Sequence, residues 1–120
     1  MKLAIPSSGT DLSAPVDRSF GRCAHFVIHD TETGRTTAVD NQQNLNLAQG
    51  AGIQSAQTVA GQDVDLVLAA HCGPKAFATL TAADIRVALG AAGTVGDAVD
   101  AWRQGRLSPA ADANVEGHWA

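Results

Sequence analysis

The sequence predicts a single α/β domain in which helices cover both faces of a mixed five-stranded sheet. Three observations predict this fold class. The chain has 120 residues, which suits one domain of ordinary size. Strand-like and helix-like segments alternate along the chain after an initial hairpin pattern. Residues 65–70 form an apolar run after the initial Asp65, as expected of a strand that helices bury on both faces.

The amino-terminal half is predicted to contain three strands. The first is expected at residues 2–6, and the second at His25–Asp30, which is rich in β-prone residues. A tight turn at residues 32–35 then leads into a third strand at Thr36–Asp40, which completes a hairpin. The segment 7–24 between the first two strands is rich in turn-forming residues and is interpreted as a long loop.

After a polar loop at residues 41–46, the remaining elements alternate between helix and strand. They are a helix from Gly50 to Gly61, a strand at 65–70, a helix from Pro74 to about 82, a strand at 85–89, and a helix that follows Thr94 and ends near Gly105. Proline is favoured at the first helical position, and threonine caps a helix amino terminus. Glycine just beyond the last turn is a typical helix end.

The right-handed crossover rule limits how these elements assemble. It places helices on both faces of a mixed sheet, for which we predict the strand order 3-2-1-4-5, with strand 2 antiparallel to the others. From Arg106 onward the regular pattern dissolves. We therefore assign residues 1–107 to the domain and predict that residues 108–120 form a mobile carboxy-terminal tail.

Composition excludes several classes of function. The net charge of −4, from 8 basic and 12 acidic residues, argues against a protein that binds nucleic acid or an anionic membrane through an overall positive charge. With three Phe, two Trp and no Tyr, the chain lacks an aromatic ladder for stacking bases. No apolar run approaches the roughly 20 residues that span a bilayer, and no signal-peptide pattern is found. We expect a cytoplasmic protein.

Three loops are predicted to meet at one end of the sheet. They are the segment 7–24, the helix entry Gly50-Ala51-Gly52, and the turn His71-Cys72-Gly73-Pro74. In open α/β sheets, ligands bind at the carboxyl ends of the strands, beside the point where the strand order reverses. In this topology, that point lies between strands 1 and 4.

Cys72 precedes a helix start, where backbone N–H groups favour a thiolate or a bound anion. A tyrosine-phosphatase loop is excluded, because the required arginine six positions later is replaced by Ala78. A thiol nucleophile of another kind remains open, as does an inert buried cysteine. Since the chain has only Cys23 and Cys72, a disulfide framework is not expected, and both should be free thiols.

Two Cys and two His form a candidate metal-ligand set. Cys23 and His25 are two positions apart, so in an extended segment they would point to the same side. With His71 and Cys72, they supply the soft ligands that zinc, copper and iron–sulfur centres use. The spacing is not that of a zinc finger, and adjacent His71 and Cys72 are poorly placed to hold one ion together. Four scattered aspartates likewise do not form a two-metal nuclease site.

Two features favour an anionic ligand. Arg18 and Arg22 flank a Phe-Gly pair in the long loop, and the planar guanidinium suits anions with several acceptor atoms. Gly50-Ala51-Gly52 would let an anion approach a helix start closely, although a dinucleotide fingerprint is excluded because Ser55 stands at its third glycine. Surface arginines and a flexible helix entry are the alternative interpretations.

Several of these segments together resemble the dinitrogenase iron–molybdenum cofactor-binding family. The matching motifs are AIPS at 4–7, PVDRSFGRC at 15–23, GAGIQ at 50–54, CGPKAF at 72–77, and GTV at 93–95 with Ala98 and Gly105. Their order and spacing are specific, and the similarity extends over roughly residues 2–107. The resemblance implies a ribonuclease H-like, three-layer α/β/α fold without nuclease activity.

The resemblance also implies a function. It predicts a non-enzymatic protein that binds, carries or helps assemble an anionic molybdenum-containing metal–sulfur cluster, such as a molybdenum–copper sulfide or an iron–molybdenum cofactor-like cluster. The expected contacts are Arg18, Arg22, Gly50, Ala51, Gly52, Gly73 and Pro74, with Cys23, His25, His71 and Cys72 as candidate ligands or near neighbours. A nucleotide-dependent assembly ATPase is a possible partner.

Two alternative functions remain open at this point. Cys72 would be the nucleophile or redox group of a thiol enzyme. Alternatively, the same face would bind a protein as a cofactor-free interaction or regulatory module.

Overall fold

A computed structural model describes residues 1–44 and 49–111 of the chain. The strands are β1 (Lys2–Ser7), β2 (His25–Asp30), β3 (Thr36–Asp40), β4 (Leu66–Ala69) and β5 (Arg86–Leu89). The helices are α1 (Ala51–Ala60), α2 (Pro74–Ala82) and α3 (Val95–Arg103), and a short 3₁₀ helix spans Gln42–Asn44. None of the described helices is long and apolar enough to cross a membrane.

The five strands form one mixed sheet in the order β3-β2-β1-β4-β5. β2 runs antiparallel to both of its neighbours, whereas β1, β4 and β5 are parallel. The predicted α/β class, strand order and antiparallel second strand are therefore confirmed. β2 and β3 pair residue for residue without a bulge, so that Phe26 lies opposite Val39 and Ile28 lies opposite Thr37.

The hairpin turn between β2 and β3 is fixed by local polar groups. The Asp30 carboxylate accepts hydrogen bonds from the backbone N–H groups of Glu32 and Thr33, at 2.9 and 3.4 Å. These bonds lower the pKa of Asp30. Gly34 adopts a φ of 76°, a left-handed conformation that glycine reaches without steric cost.

Helices cover both faces of the sheet, which gives the three-layer arrangement. On one face, α1 and α2 pack on the sheet and form what we call the α1/α2 core, which contains Phe26, Val59, Val67, Leu80 and Val87 among its buried residues. On the other face, α3 forms the α3 core, which contains Leu3, Ile5, Val27, Leu68 and Val99. The continuous burial of β4 explains its apolar sequence, since its side chains enter both cores.

α3 begins as the sequence predicts. The Thr94 hydroxyl accepts a hydrogen bond from the Asp97 N–H at 3.1 Å, and the Asp97 carboxylate accepts one from the Thr94 N–H at 3.0 Å. This capping box satisfies two backbone donors at the helix start. Gly93 precedes it with a φ of 77°, and a Cβ at that position would lie 2.5 Å from the Asp97 carboxylate. The start of α3 therefore requires glycine here.

The first residues after position 107 continue along the sheet edge. Ala110 donates its N–H to the Val87 carbonyl at 2.7 Å, and Pro109 pairs with Ala88 in an antiparallel bridge. Leu107 packs against the α3 core. The predicted tail thus begins with a short contact to β5, and its residues 112–120 lie outside the part described. Its mobility stays a prediction.

His29 joins β2 to α3 and gives the fold a predictable pH dependence. Its Nε2 lies 3.5 Å from an Arg103 nitrogen, and its Nδ1 lies 2.9 Å from the Thr36 hydroxyl. A guanidinium can only donate, so Nε2 accepts and Nδ1 carries the proton. Burial, together with the Arg103 charge, lowers the pKa of His29 below 6.5, and the nearby Asp30 opposes this in part.

We therefore expect the free energy of unfolding to decrease as the pH falls below about 6.5. In that range the unfolded chain takes up a proton at His29 that the folded chain does not, whereas above it the contribution is constant. Urea unfolding between pH 5 and 8 measures the effect in the natural protein and in His29→Gln. The variant should show a smaller decrease, and identical pH profiles would contradict the prediction.

Candidate functional site

A segment of the long loop lies between the carboxyl ends of β1 and β4. The two strands pair at Leu3 with Leu66 and at Ala4 with Val67. Farther along, the segment 15–19 lies between them, with Val16 bridged to Ser7 and Ser19 bridged to His71. The crevice that the topology predicts at this point is therefore filled by the chain itself.

Pro6 suits this arrangement because it sits where β1 parts from β4. Proline has no N–H to donate and is rarely found in a central strand. Its carbonyl instead accepts a hydrogen bond from the Asp17 N–H at 2.9 Å. The start of α3 fixes the same segment, because Val16 donates to the Gly93 carbonyl at 2.9 Å and Val95 donates to the Ala14 carbonyl at 2.8 Å.

Beside this segment, an open groove of ≈ 390 Å³ runs along the carboxyl ends of β4 and β5. Its described lining consists of Val16, Arg18, Ala70, His71, Gly90, Ala91, Ala92 and Gly93. The volume falls within the range of small-ligand pockets, about 300–1,000 Å³. The lining contains a guanidinium and an imidazole, and none of its described residues is acidic. The groove is thus suited to an anion.

The structure brings together two of the predicted site residues in this groove, Arg18 and His71. Arg18 is exposed and His71 is half-buried. Sequence reasoning missed the opposite wall, residues 90–93. The sequence feature that could have indicated this wall is the run Gly-Ala-Ala-Gly directly after the fifth strand. Its small residues leave room for a ligand at the carboxyl end of that strand.

Arg22 belongs to a neighbouring turn instead of the groove wall. Its N–H donates to the Ser19 hydroxyl at 3.1 Å, and Ser19 is the residue bridged to His71. The preceding Gly21 carbonyl accepts a hydrogen bond from Ser55 of α1 at 2.8 Å. The turn therefore connects the groove to the first turns of α1.

The predicted helix entries lie where the sequence places them. Gly50 is the N-cap of α1, with a φ of 82°, and no side chain caps the helix there. Ala51 and Gly52 are buried in its first turn. Gly73 precedes α2, whose first residue is Pro74, again without a side-chain cap. Whether these positions contact a ligand stays a prediction.

Both cysteines are fully buried in the α1/α2 core. Burial raises the pKa of Cys23 to about 12, with a contribution from the charge of Asp17. Burial raises the pKa of Cys72 to about 12 as well. Both groups are therefore neutral thiols at physiological pH. This geometry disfavours the interpretation of Cys72 as an activated nucleophile, which requires a lowered pKa and solvent access.

We expect both thiols to react slowly with iodoacetamide in the folded protein at pH 8. The reactive species is the thiolate, and at a pKa of about 12 only roughly one thiol in 10⁴ is ionised at that pH. In urea, the thiols regain a pKa near 8.5 and should be labelled rapidly. Mass spectrometry of timed samples measures both rates. Rapid labelling of Cys72 in the folded chain would restore the thiol-enzyme hypothesis.

The sequence predicts that the side chains of Cys23 and His25 point to the same side of an extended segment. The structure places them on opposite faces of the sheet. Along β2, Phe26 and Ile28 enter the α1/α2 core, whereas Val27 enters the α3 core. His25 therefore lies on the Val27 face of the strand, and Cys23 packs in the opposite core. Cys23 lies before β2 begins, and the chain bends at Ala24. Side chains two positions apart point to the same side only in extended backbone, so the prediction does not hold here.

The candidate metal-ligand set is not assembled around one ion. Over residues 1–44 and 49–111, no three His, Cys, Asp or Glu side chains are grouped to hold a metal ion. His25 Nδ1 is buried and has no hydrogen-bond partner within the same ranges. Cys23, His25, His71 and Cys72 as metal ligands stay a prediction.

Comparisons with known proteins agree with this fold. A family model described as dinitrogenase iron-molybdenum cofactor matches residues 1–105. None of the curated proteins matches the chain. The apo form of the orange protein from Desulfovibrio gigas is 38% identical, with a TM-score of 0.92 over 95% of this chain and 96% of that one.

Two further solved structures are similar. A Thermotoga protein of the DUF35 family, provisionally described as NifB, is 38% identical, with a TM-score of 0.82 over 97% of this chain and 98% of that one. A Methanocaldococcus jannaschii protein, provisionally described as a dinitrogenase, is 16% identical and has a TM-score of 0.68 over 93% and 96% of the two chains, which shows the shared fold alone. With the family model covering most of its length, this chain belongs to the dinitrogenase iron-molybdenum cofactor family.

Proposed function

We propose that this protein binds and carries an anionic molybdenum-containing metal–sulfur cluster, held largely by non-covalent contacts. The cargo would be a molybdenum–copper sulfide or an iron–molybdenum cofactor-like cluster. Membership of the family supports the class of ligand. The similarity to the orange protein, whose structure is described as an apo form, supports a small domain that takes up a group from outside.

The groove beside Arg18 is the observation that carries the proposal. It combines a guanidinium, an imidazole and small apolar residues, without a carboxylate in its described lining. The net charge of the chain is −4, so a cluster anion must be attracted by local groups and not by the whole protein. Arg18 supplies several N–H donors in a planar fork, which suits sulfide groups arranged around a metal. Small side chains leave space for a bulky inorganic ligand.

The state of the two thiols favours non-covalent binding. A cysteine binds metal as a thiolate, and burial keeps Cys23 and Cys72 protonated. His71 is the one candidate ligand that lines the groove. We therefore assign the main contacts to Arg18 and His71, with the Arg22 turn beside them and no direct role for the cysteines.

A loading experiment tests the proposal. The protein is purified without chelators, and its visible absorption and metal content are measured before and after incubation with tetrathiomolybdate and Cu(I). Stoichiometric molybdenum with sulfide-to-metal charge-transfer bands would support a cluster carrier. A colourless, metal-free protein after incubation would contradict it, and would favour the cofactor-free interaction module.

The proposal includes how the cargo is used. A carrier acts as a binding protein and not as an enzyme, and it must pass its cargo to a recipient. A nucleotide-dependent assembly ATPase of the cytoplasm is the partner class that we propose. Mixing the loaded protein with such an ATPase and following the charge-transfer bands through gel filtration would detect transfer. Retention of all molybdenum on the carrier, with and without nucleotide, would contradict this partner.

A further inference from the structure

Two fully buried polar residues, Asn41 and Ser55, lie beneath the Arg22 turn. Asn41 follows β3, and Ser55 lies in α1. The Asn41 Nδ2 donates to the Ser55 hydroxyl at 3.1 Å. Burial of an amide and a hydroxyl costs free energy unless their hydrogen bonds are made, so such a pair is retained where its bonds serve the structure or a site.

Both side chains also donate hydrogen bonds to the backbone of the turn. Ser55 Oγ donates to the Gly21 carbonyl at 2.8 Å. Asn41 Nδ2 donates to the Cys23 carbonyl at 3.0 Å. The Cys23 thiol donates to the Phe20 carbonyl at 3.5 Å. Three carbonyls of one short turn are therefore drawn toward the interior by side-chain donors.

This orientation of the carbonyls determines the direction of the N–H groups. In a trans peptide, the N–H of one residue points opposite to the carbonyl of the residue before it. The N–H groups of Arg22 and Ala24 therefore point away from the buried pair, which binds the preceding Gly21 and Cys23 carbonyls. The Arg22 N–H meets the hydroxyl of Ser19, the residue bridged to His71 at the groove. The buried pair thus holds in place the turn that carries Arg22 and that joins the groove at Ser19.

We propose that Asn41 and Ser55 are positioning residues, which hold the backbone of the Arg22 turn so that Arg22 and the bridge between Ser19 and His71 are fixed beside the groove that takes the anionic cargo. The inference rests on the proposed function. Neither residue touches the cargo. Their role is to turn the negative ends of the peptide dipoles inward and to hold the turn rigid, so that no reorganisation is needed when the anion binds.

The test compares Ser55→Ala with a matched control, Thr58→Val. Both changes remove a hydroxyl from α1, but within residues 1–44 and 49–111 the Thr58 hydroxyl bonds the Gln54 carbonyl of its own helix, at 3.1 Å, and no other group. The dissociation constant for tetrathiomolybdate is measured by absorbance titration, and amide hydrogen exchange is followed by NMR. Ser55→Ala should weaken binding by roughly 3- to 10-fold, the worth of about one hydrogen bond. The amides of Gly21 and Arg22 should exchange faster, while Thr58→Val changes neither measurement.

Ser55→Cys provides a second variant of nearly the same size, whose weaker donor should give a smaller loss of affinity. If Ser55→Ala lowers the melting temperature but leaves the dissociation constant unchanged, the residue is merely structural and the inference is overturned. If the natural protein does not bind tetrathiomolybdate at all, the proposed function fails and the inference fails with it. Binding by the natural protein together with equal binding by Ser55→Ala contradicts only the inference.

Discussion

Replacement of Arg18 by Glu is expected to weaken the binding of tetrathiomolybdate by about 100-fold. The substitution removes charge-assisted hydrogen bonds, worth roughly 1.5–3 kcal/mol each, and adds repulsion between the carboxylate and the anion. A loss of about 1.4 kcal/mol is tenfold in affinity. Because Arg18 is exposed and lines the groove, the fold should tolerate the change. Absorbance titration at fixed ionic strength measures the effect.

Arg35→Glu is the matched control, because Arg35 is also exposed but lies in the hairpin turn between β2 and β3. It changes the net charge by the same amount and should leave the affinity within about twofold, since salt screens distant exposed charges. Arg18→Lys should give an intermediate loss, because lysine keeps the charge without the planar fork. Equal losses from Arg18→Glu and Arg35→Glu would show that the groove is not the binding site.

Replacement of Phe20 by Ala is expected to lower the free energy of unfolding by about 3–5 kcal/mol. Phe20 is fully buried, and its ring lies 5.1 Å from that of Phe26 at an interplanar angle of 54°. This tilted pair adds an aromatic contact to the area that the side chain buries. Small domains are stable by about 5–15 kcal/mol, so the loss is a large share. Urea unfolding followed by circular dichroism measures it.

Phe77→Ala is the control for this change, since Phe77 packs only partly against the same core. Its loss should be clearly smaller than that of Phe20→Ala. Phe20 also anchors the loop that bears Arg18 and Arg22, so Phe20→Ala should weaken tetrathiomolybdate binding even where the domain remains folded. A loss of stability below about 1 kcal/mol would contradict the role of Phe20 as the anchor.

Most of the fold could be predicted because its elements carry local signals. Pro74 and Thr94 begin α2 and α3 where the sequence places them, and Gly61 ends α1. The hairpin follows from turn chemistry at residues 30–34. The extension of β1 to Ser7 was less accessible, because Pro6 argues against a central strand. It is tolerated since β4 has already diverged there and the loop supplies the neighbour.

The site was predicted less completely, because it depends on pairing between distant segments. Arg18 and His71 were identified by residue type and their position near strand ends. No local pattern shows that residues 15–19 pair with β1 on one side and with His71 on the other. The separation of Cys23 from His25 likewise depends on where β2 begins, and strand boundaries are the least predictable feature of a sequence. Asn41 and Ser55 read as ordinary polar residues until their burial is known.

The insertion of residues 15–19 between β1 and β4 has a kinetic consequence. Because the chain itself closes the crevice, a cluster bound as proposed would rest in an open groove and could dissociate without any domain movement. Its residence time is then set by the strength of the contacts alone. With a dissociation constant of about 1 μM and association at about 10⁶ M⁻¹s⁻¹, the cargo would stay for roughly one second. A residence time of this order would let the protein release its cargo to a recipient without a separate opening step.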